Sequence, residues 1–315
     1  MRSVTASVLA VCCLASACSP PGQTASPAKS GEAASPQTSG AASQRGGGAP
    51  YEVLGSQVWD VPDPRSGRAY QVFVQLPASY EASPDRRYPV VYVTDADYAF
   101  PVIRQISRRV NLNGPVIEEF ILVGLSYARG EDGVVSRNRD YTPTANGPRR
   151  SRAMVHGGGA DYQAYLKSQV LPYVDERFRT DPSRRILLGH SYGGLLAAQI
   201  LFSEPELFSG YGLGSPSLWF DRRHIFGREQ AYAERRRDLP AEVYMYVGDF
   251  EVPGTSPRNT DDVDMVSDVR ALERTLKDRD YAGLTVRAEV LNDEDHLTVA
   301  PRGFTHALVA LLPAR

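Results

Sequence analysis

Leu187-Leu188-Gly189-His190-Ser191-Tyr192-Gly193-Gly194-Leu195-Leu196 reads as the end of a buried strand, a sharp turn and the start of a helix. Gly-x-Ser-x-Gly at such a junction lifts a serine hydroxyl off the sheet on a strained turn. Side chains at 189 and 193 would collide with neighbouring backbone, so glycine stands at both positions. The helix starting at Tyr192 directs its N-terminal partial positive charge at the same point. Ser191 is therefore the candidate nucleophile.

Short apolar runs lie on either side of this segment, at 90–93, 120–125, 186–189, 210–213, 243–247 and 284–291. Continuous runs of this length fit a parallel sheet covered on both faces. Helical patterns fall between them at 99–110, 162–178, 195–203, 263–280 and 304–312. In the second, apolar residues at 162, 165, 166, 170, 173 and 174 share one face. Upstream, 56–61 and 69–76 alternate like an antiparallel hairpin. The expected architecture is α/β: a doubly wound, mostly parallel sheet with an N-terminal antiparallel hairpin, the α/β-hydrolase arrangement, over 51–315. The stretch 127–159 shows no regular period and reads as a long functional loop.

In this arrangement the partners follow the nucleophile in the order acid, then histidine. His296 stands in the loop after the last strand, where a general base belongs. After the strand before it come Asp249 and Glu251, and either carboxylate could orient the imidazole. One oxyanion donor is expected from the N–H of Tyr192. The second should come from the loop after the third strand, at Asp97 or Tyr98. His156-Gly157-Gly158-Gly159 looks like a lipase oxyanion motif but follows the fourth strand, so it is read as the start of a helix.

The 315 residues are 42% hydrophobic and 23% charged, with a net charge of −2. That balance gives no global attraction to nucleic acid or to an anionic membrane. The cysteines are Cys12, Cys13 and Cys18, so the remainder of the chain has no thiol nucleophile, disulfide framework or cysteine zinc site. No metal and no cofactor is expected. Arg2, an apolar run at 4–14 and Ala15-Ser16-Ala17-Cys18 read as a lipoprotein signal peptide over 1–17, with lipid on Cys18. Plain cleavage after Ala17 is the alternative. The Ser/Ala/Pro/Gly-rich 18–50 is then a disordered tether spanning roughly 30 Å. The expected location is extracytoplasmic: lipid-anchored on the periplasmic or surface side of an outer membrane, or else soluble in the periplasm or secreted. The membrane is met only through the anchor.

The folded part resembles the esterase family that holds enterobactin and salmochelin trilactone esterases, feruloyl and acetylxylan esterases, formylglutathione hydrolases and mycolyltransferases. The resemblance rests on Tyr88-Pro89-Val90-Val91-Tyr92-Val93-Thr94-Asp95, Arg139-Asp140-Tyr141-Thr142-Pro143, Gly158-Gly159-Ala160-Asp161, the 189–194 elbow and Ser215-Pro216-Ser217-Leu218-Trp219. Its siderophore-esterase branch is the nearest likeness. The resemblance implies Glu251 as the acid. Ala96 stands where the family often has glycine.

Five arginines, Arg137, Arg139, Arg149, Arg150 and Arg152, crowd the long loop. Arg139, Arg149, Arg150 and Arg152 are read as a cationic rim for an anionic substrate, and Trp219 as the floor of an aromatic acyl pocket. The partner is thus a small-molecule ester. The expected function is ester hydrolysis through an acyl-enzyme. Alternatives are a feruloyl or acetyl polysaccharide esterase, an acyltransferase, and a tethered siderophore-binding lipoprotein without activity.

Overall fold

Eight strands and eight α-helices follow one another along the chain in a computed structural model that describes residues 51–148, 154–254 and 263–314. The signal peptide, Cys18, the tether and Arg149, Arg150 and Arg152 lie outside the described residues. The strands are β1 (Ser56–Asp60), β2 (Gln71–Gln75), β3 (Tyr88–Val93), β4 (Ile121–Leu125), β5 (Thr180–His190), β6 (Gly210–Gly214), β7 (Asp238–Gly248) and β8 (Ala282–Leu291). They form one sheet in the order β1-β2-β4-β3-β5-β6-β7-β8. β1, β2 and β4 pair antiparallel, and every pairing from β4 through β3 to β8 is parallel.

Alternation along the strands divides the core between two faces. On one face Val90, Tyr92, Val123 and Leu187 pack with Leu166 and Val170, with α5 (Tyr192–Leu201) and with α7 (Met265–Arg279). On the other face Val91, Val93, Ile186 and Leu188 pack with α1 (Ala96–Val110) and α8 (Val299–Leu311). Burial on both sides is why β3, β4 and β6 carry no polar alternation. The predicted 162–178 helix is real but interrupted. It runs as α3 (Gly159–Tyr165), a π-helical turn at Leu166–Val170 and α4 (Leu171–Arg177).

Two helices were not visible as periodic segments. The first, α2 (Gly133–Asp140), lies inside the stretch read as a loop. Asp132 caps it by accepting from Val134 N–H at 2.9 Å and Val135 N–H at 3.2 Å. Its buried residues are Ser136, Asn138 and Asp140, so a search for apolar spacing passes over it. The second, α6 (Phe220–Ala233), holds His224 and buries Glu229 beside Ile225 and Tyr232. α1 starts at Ala96, before the expected 99, with Pro101 inside the helix.

The nucleophile elbow shows how close the backbone packing is. A Cβ on Gly189 would run into the carbonyl of Gly193, and one on Gly193 into the hydroxyl of Thr94. Gly189→Ala is therefore expected to lower stability by about 2–3 kcal/mol, since backbone cannot yield as a side chain can. Gly227→Ala in α6, where a Cβ meets nothing within 4 Å, should be neutral or stabilising by up to about 1 kcal/mol. Urea unfolding of the two variants checks the contrast.

Candidate active site

Ser191 sits between β5 and α5 with φ 59° and ψ −118°, a conformation that L-residues rarely adopt. Its N–H donates to Gly214 O at 2.8 Å, and its carbonyl accepts from Leu195 at 3.0 Å and Ser217 at 3.2 Å. The turn is thus tied to the end of β6 and to the loop that follows it. Among the described residues the Ser191 hydroxyl has one hydrogen-bond partner, Ser217 Oγ at 3.4 Å.

β7 and β8 are parallel neighbours in register from Ala241–Leu284 to Gly248–Leu291. The loops leaving their carboxyl ends are therefore adjacent. They lock together where Asp249 N–H donates to Leu291 O at 3.0 Å, Phe250 N–H to Glu294 O at 3.1 Å and Glu294 N–H to Asp249 Oδ1 at 3.2 Å. This pairing sets Glu251 Oε2 2.7 Å from His296 Nδ1. The other oxygen of Glu251 accepts from Ser215 Oγ at 2.6 Å and Gly248 N–H at 2.9 Å. Glu251 is only 3% exposed, so these three donors replace the water it lacks. Of the two carboxylates left open by sequence physics, Glu251 meets the imidazole, and Asp249 pins the loop.

A cavity of about 300 Å³ lies over the elbow, lined among others by Arg137, His156, Ser191, Tyr192, Trp219 and His296. Trp219 lies at the cavity wall, its ring 6.3 Å from that of Tyr192 between centroids. Tyr192 opens α5, so its N–H points out of the helix end beside Ser191. Asp95 caps α1 in the left-handed region at φ 56°. Tyr98 N–H is already committed to Asp95 O at 3.1 Å in the first turn of α1, which removes it from the oxyanion pair. The Asp97 N–H has no hydrogen-bond acceptor among the described residues and is the donor that remains. Ala96 takes the first helical position, which needs no glycine.

Arg139 is a second correction. It does not line the cavity over Ser191. Its guanidinium pairs with Asp140 at 2.8 Å, and also with Glu131, near the Tyr70 hydroxyl. The neighbouring arginine reaches the site instead. Arg137 Nε donates to Asp95 Oδ1 at 2.7 Å, and its Nη2 to Asp95 Oδ2 at 3.2 Å and to His190 O at 3.1 Å. Burial pulls the Arg137 pKa down, but Asp95, Tyr127 and Tyr141 together outweigh it and the net shift is upward. Tyr127 adds a hydrogen bond to Asp95 Oδ1 at 2.5 Å. Sequence reasoning grouped Arg137 with its neighbours. It overlooked Ser215, whose position in Ser-Pro-Ser was the available signal. Among the described residues no group of three His, Cys, Asp or Glu could hold a metal, and no helix is long and apolar enough to cross a membrane.

Residues 64–289 match the protein family described as "Putative esterase". Ferri-bacillibactin esterase BesA of Bacillus subtilis is 25% identical over 270 residues, covering 82% of this chain and 90% of the relative. Siderophore hydrolase EstB from Aspergillus nidulans superposes with a TM-score of 0.69 at 26% identity, covering 84% of this chain and 97% of that one. The BES protein from Bacillus cereus gives a TM-score of 0.73 over 85% of this chain and 99% of that one, and at 22% identity it shows the fold.

The Asp95–Arg137 pair is buried, with side chains 6% and 22% exposed. Arg137→Met leaves a buried carboxylate uncompensated and should cost roughly 3–5 kcal/mol. Adding Asp95→Asn should recover a large part of that loss. A thermodynamic cycle by urea unfolding measures it.

Proposed function

This chain belongs to the esterase family matched over residues 64–289, is a hydrolase acting on ester bonds, and on that footing we propose that Ser191, His296 and Glu251 form its catalytic triad. The observation that carries the reading is the 2.7 Å contact of His296 Nδ1 with the buried Glu251, beside a serine on a strained elbow lining the same cavity. The Glu251 carboxylate on Nδ1 fixes the tautomer and leaves Nε2 for the serine. A turn about χ1 of Ser191 exchanges its weak contact with Ser217 for the imidazole, as catalytic hydrogen bonds often tighten only with substrate bound. His296 then takes the serine proton as Oγ attacks the ester carbonyl, and Glu251 stabilises the imidazolium. The N–H groups of Tyr192 and Asp97 receive the oxyanion. The alkoxide leaves with the proton from His296, and water repeats the sequence to release the acid from the acyl-enzyme.

The proposed substrate is a siderophore closed by ester bonds, of the enterobactin or salmochelin type. BesA, named a ferri-bacillibactin esterase, and EstB, named a siderophore hydrolase, support this choice. In the same proposal Arg149, Arg150 and Arg152 add positive charge nearby, and Cys18 carries a lipid that keeps the enzyme at the envelope.

Ser191→Ala and His296→Ala should each abolish hydrolysis of p-nitrophenyl acetate and leave thermal unfolding nearly unchanged. The double variant should be little worse, since triad members act as a unit. Glu251→Gln should lower kcat by orders of magnitude, and Asp249→Asn far less. A fluorophosphonate should label Ser191 alone by mass spectrometry. More than about a tenth of wild-type kcat in His296→Ala would refute the base assignment.

For the substrate, kcat/KM on ferric enterobactin should fall with added salt, and that on p-nitrophenyl acetate should not, because only a charged ligand is steered. Replacing Arg149, Arg150 and Arg152 with Ser should flatten the salt dependence. Absence of cleavage, or cleavage indifferent to both, refutes the siderophore reading and spares the esterase. Labelled palmitate should enter the wild type and not Cys18→Ala.

A further inference from the structure

His190, the residue before the nucleophile, is a buried titratable group that the mechanism above does not use. It is 7% exposed, at the carboxyl end of β5. Its ring lies between Tyr246, at 6.2 Å and 16° interplanar, and the base His296, at 4.8 Å and 40°. Its Nε2 is 2.8 Å from the His296 carbonyl oxygen. A carbonyl can only accept, so Nε2 carries the hydrogen. Nδ1 is buried and has no partner among the described residues. The backbone of His190 is held as well, by Arg137 Nη2 on its carbonyl.

We propose that His190 is a positioning residue for the base: its Nε2–H holds the backbone of His296 from below, while Glu251 holds the ring from the side. The proposal rests on the reading of His296 as the base. Its basis is the division of labour in the loop. Asp249 fastens the loop at Glu294, two residues before the base, and Thr298 Oγ1 accepts from Asp295 N–H at 3.0 Å. Leu297, on the other side of His296, has an 81% exposed side chain, and its N–H donates to Asp295 Oδ1 at 2.9 Å, a bond internal to the loop. The His190 bond therefore ties the loop down at the residue that must be aimed. The ring must also stay uncharged, since an imidazolium this close would oppose proton uptake by His296. The charged and titratable groups that face it are His296, Tyr246 and Arg137. Burial first, and then His296, push its pKa well below the ordinary histidine value. Replacement by an apolar ring keeps the stacking and loses the bond. Gln places an N–H close to the position of Nε2.

The test compares His190→Phe with His190→Gln on p-nitrophenyl acetate. The expected result is a fall of roughly tenfold or more in kcat for Phe with KM unchanged, and recovery to within about threefold of wild type for Gln, because only the aim of the base is lost. Wild-type kcat in His190→Phe overturns the proposal, as does a Gln variant as slow as Phe. Nitrogen-15 NMR of histidine-labelled wild-type protein gives a second reading that needs no variant. One histidine should remain the neutral Nε2–H tautomer from pH 5 to 8, and titration of that ring in this range overturns the proposal. If His296→Ala retains turnover, the base assignment fails and this inference with it. If His296→Ala is dead and His190→Phe is not, this inference alone fails.

Discussion

The backbone of Ser191 is held where an L-residue resists going, at a cost of order 1–3 kcal/mol. Inside the elbow, Leu195 N–H donates to the Ser191 carbonyl in the first turn of α5. Further restraint comes from β6, whose Gly214 carbonyl takes the Ser191 N–H, and from the 215–219 loop, which reaches back to the Ser191 carbonyl through Ser217 N–H. β6 can approach this closely because the elbow is lined by glycine. A Cβ on Gly194 would meet the Gly214 carbonyl at 3.0 Å. The strained serine, the start of α5 and the cavity above all follow from this one approach of two strand ends.

The same loop that restrains the serine also serves the acid. Ser215 donates to Glu251 and Ser217 contacts the nucleophile, so one tripeptide touches both ends of the proposed relay. The β7–β8 register then converts a separation of 45 residues into a 2.7 Å contact between Glu251 and His296. Charge is handled locally in each case. Glu251 is surrounded by donors, Asp95 is neutralised by Arg137, and Arg139 is used up by Asp140 and Glu131. Of the arginines in the 127–148 stretch, Arg137 retains a face on the cavity. A buried aspartate chooses which arginine stays, through bidentate geometry that neither sequence position nor charge count expresses.

The family match over residues 64–289 takes in the nucleophile elbow as well as the sheet that carries it. The cavity joins an arginine, aromatic rings and a serine on the carboxyl side of a parallel sheet, where open α/β sheets bind ligands.

The sequence by itself determined the sheet, the elbow and the order of the chemical groups. Apolar runs such as 90–93 and 186–189 are fixed by burial on both faces, and the glycines at 189 and 193 by local crowding, so both are written in short stretches of chain. The tertiary structure decided the rest. It decided between Asp249 and Glu251, because both follow the same strand and only the packing of the β7 and β8 loops shows which one faces the imidazole. It exposed α2 and α6, whose buried faces carry Asp140 and Glu229. Asp140 is met by the adjacent Arg139 and by the Tyr70 hydroxyl 70 residues away, and Glu229 by Arg279 50 residues away, so no local apolar rhythm announces the helices. It removed Tyr98 N–H from the oxyanion pair and Arg139 from the substrate rim, since each is already spent on a neighbour. Periodicity records which side chains avoid water. Which polar groups find one another depends on distances that only the folded chain creates.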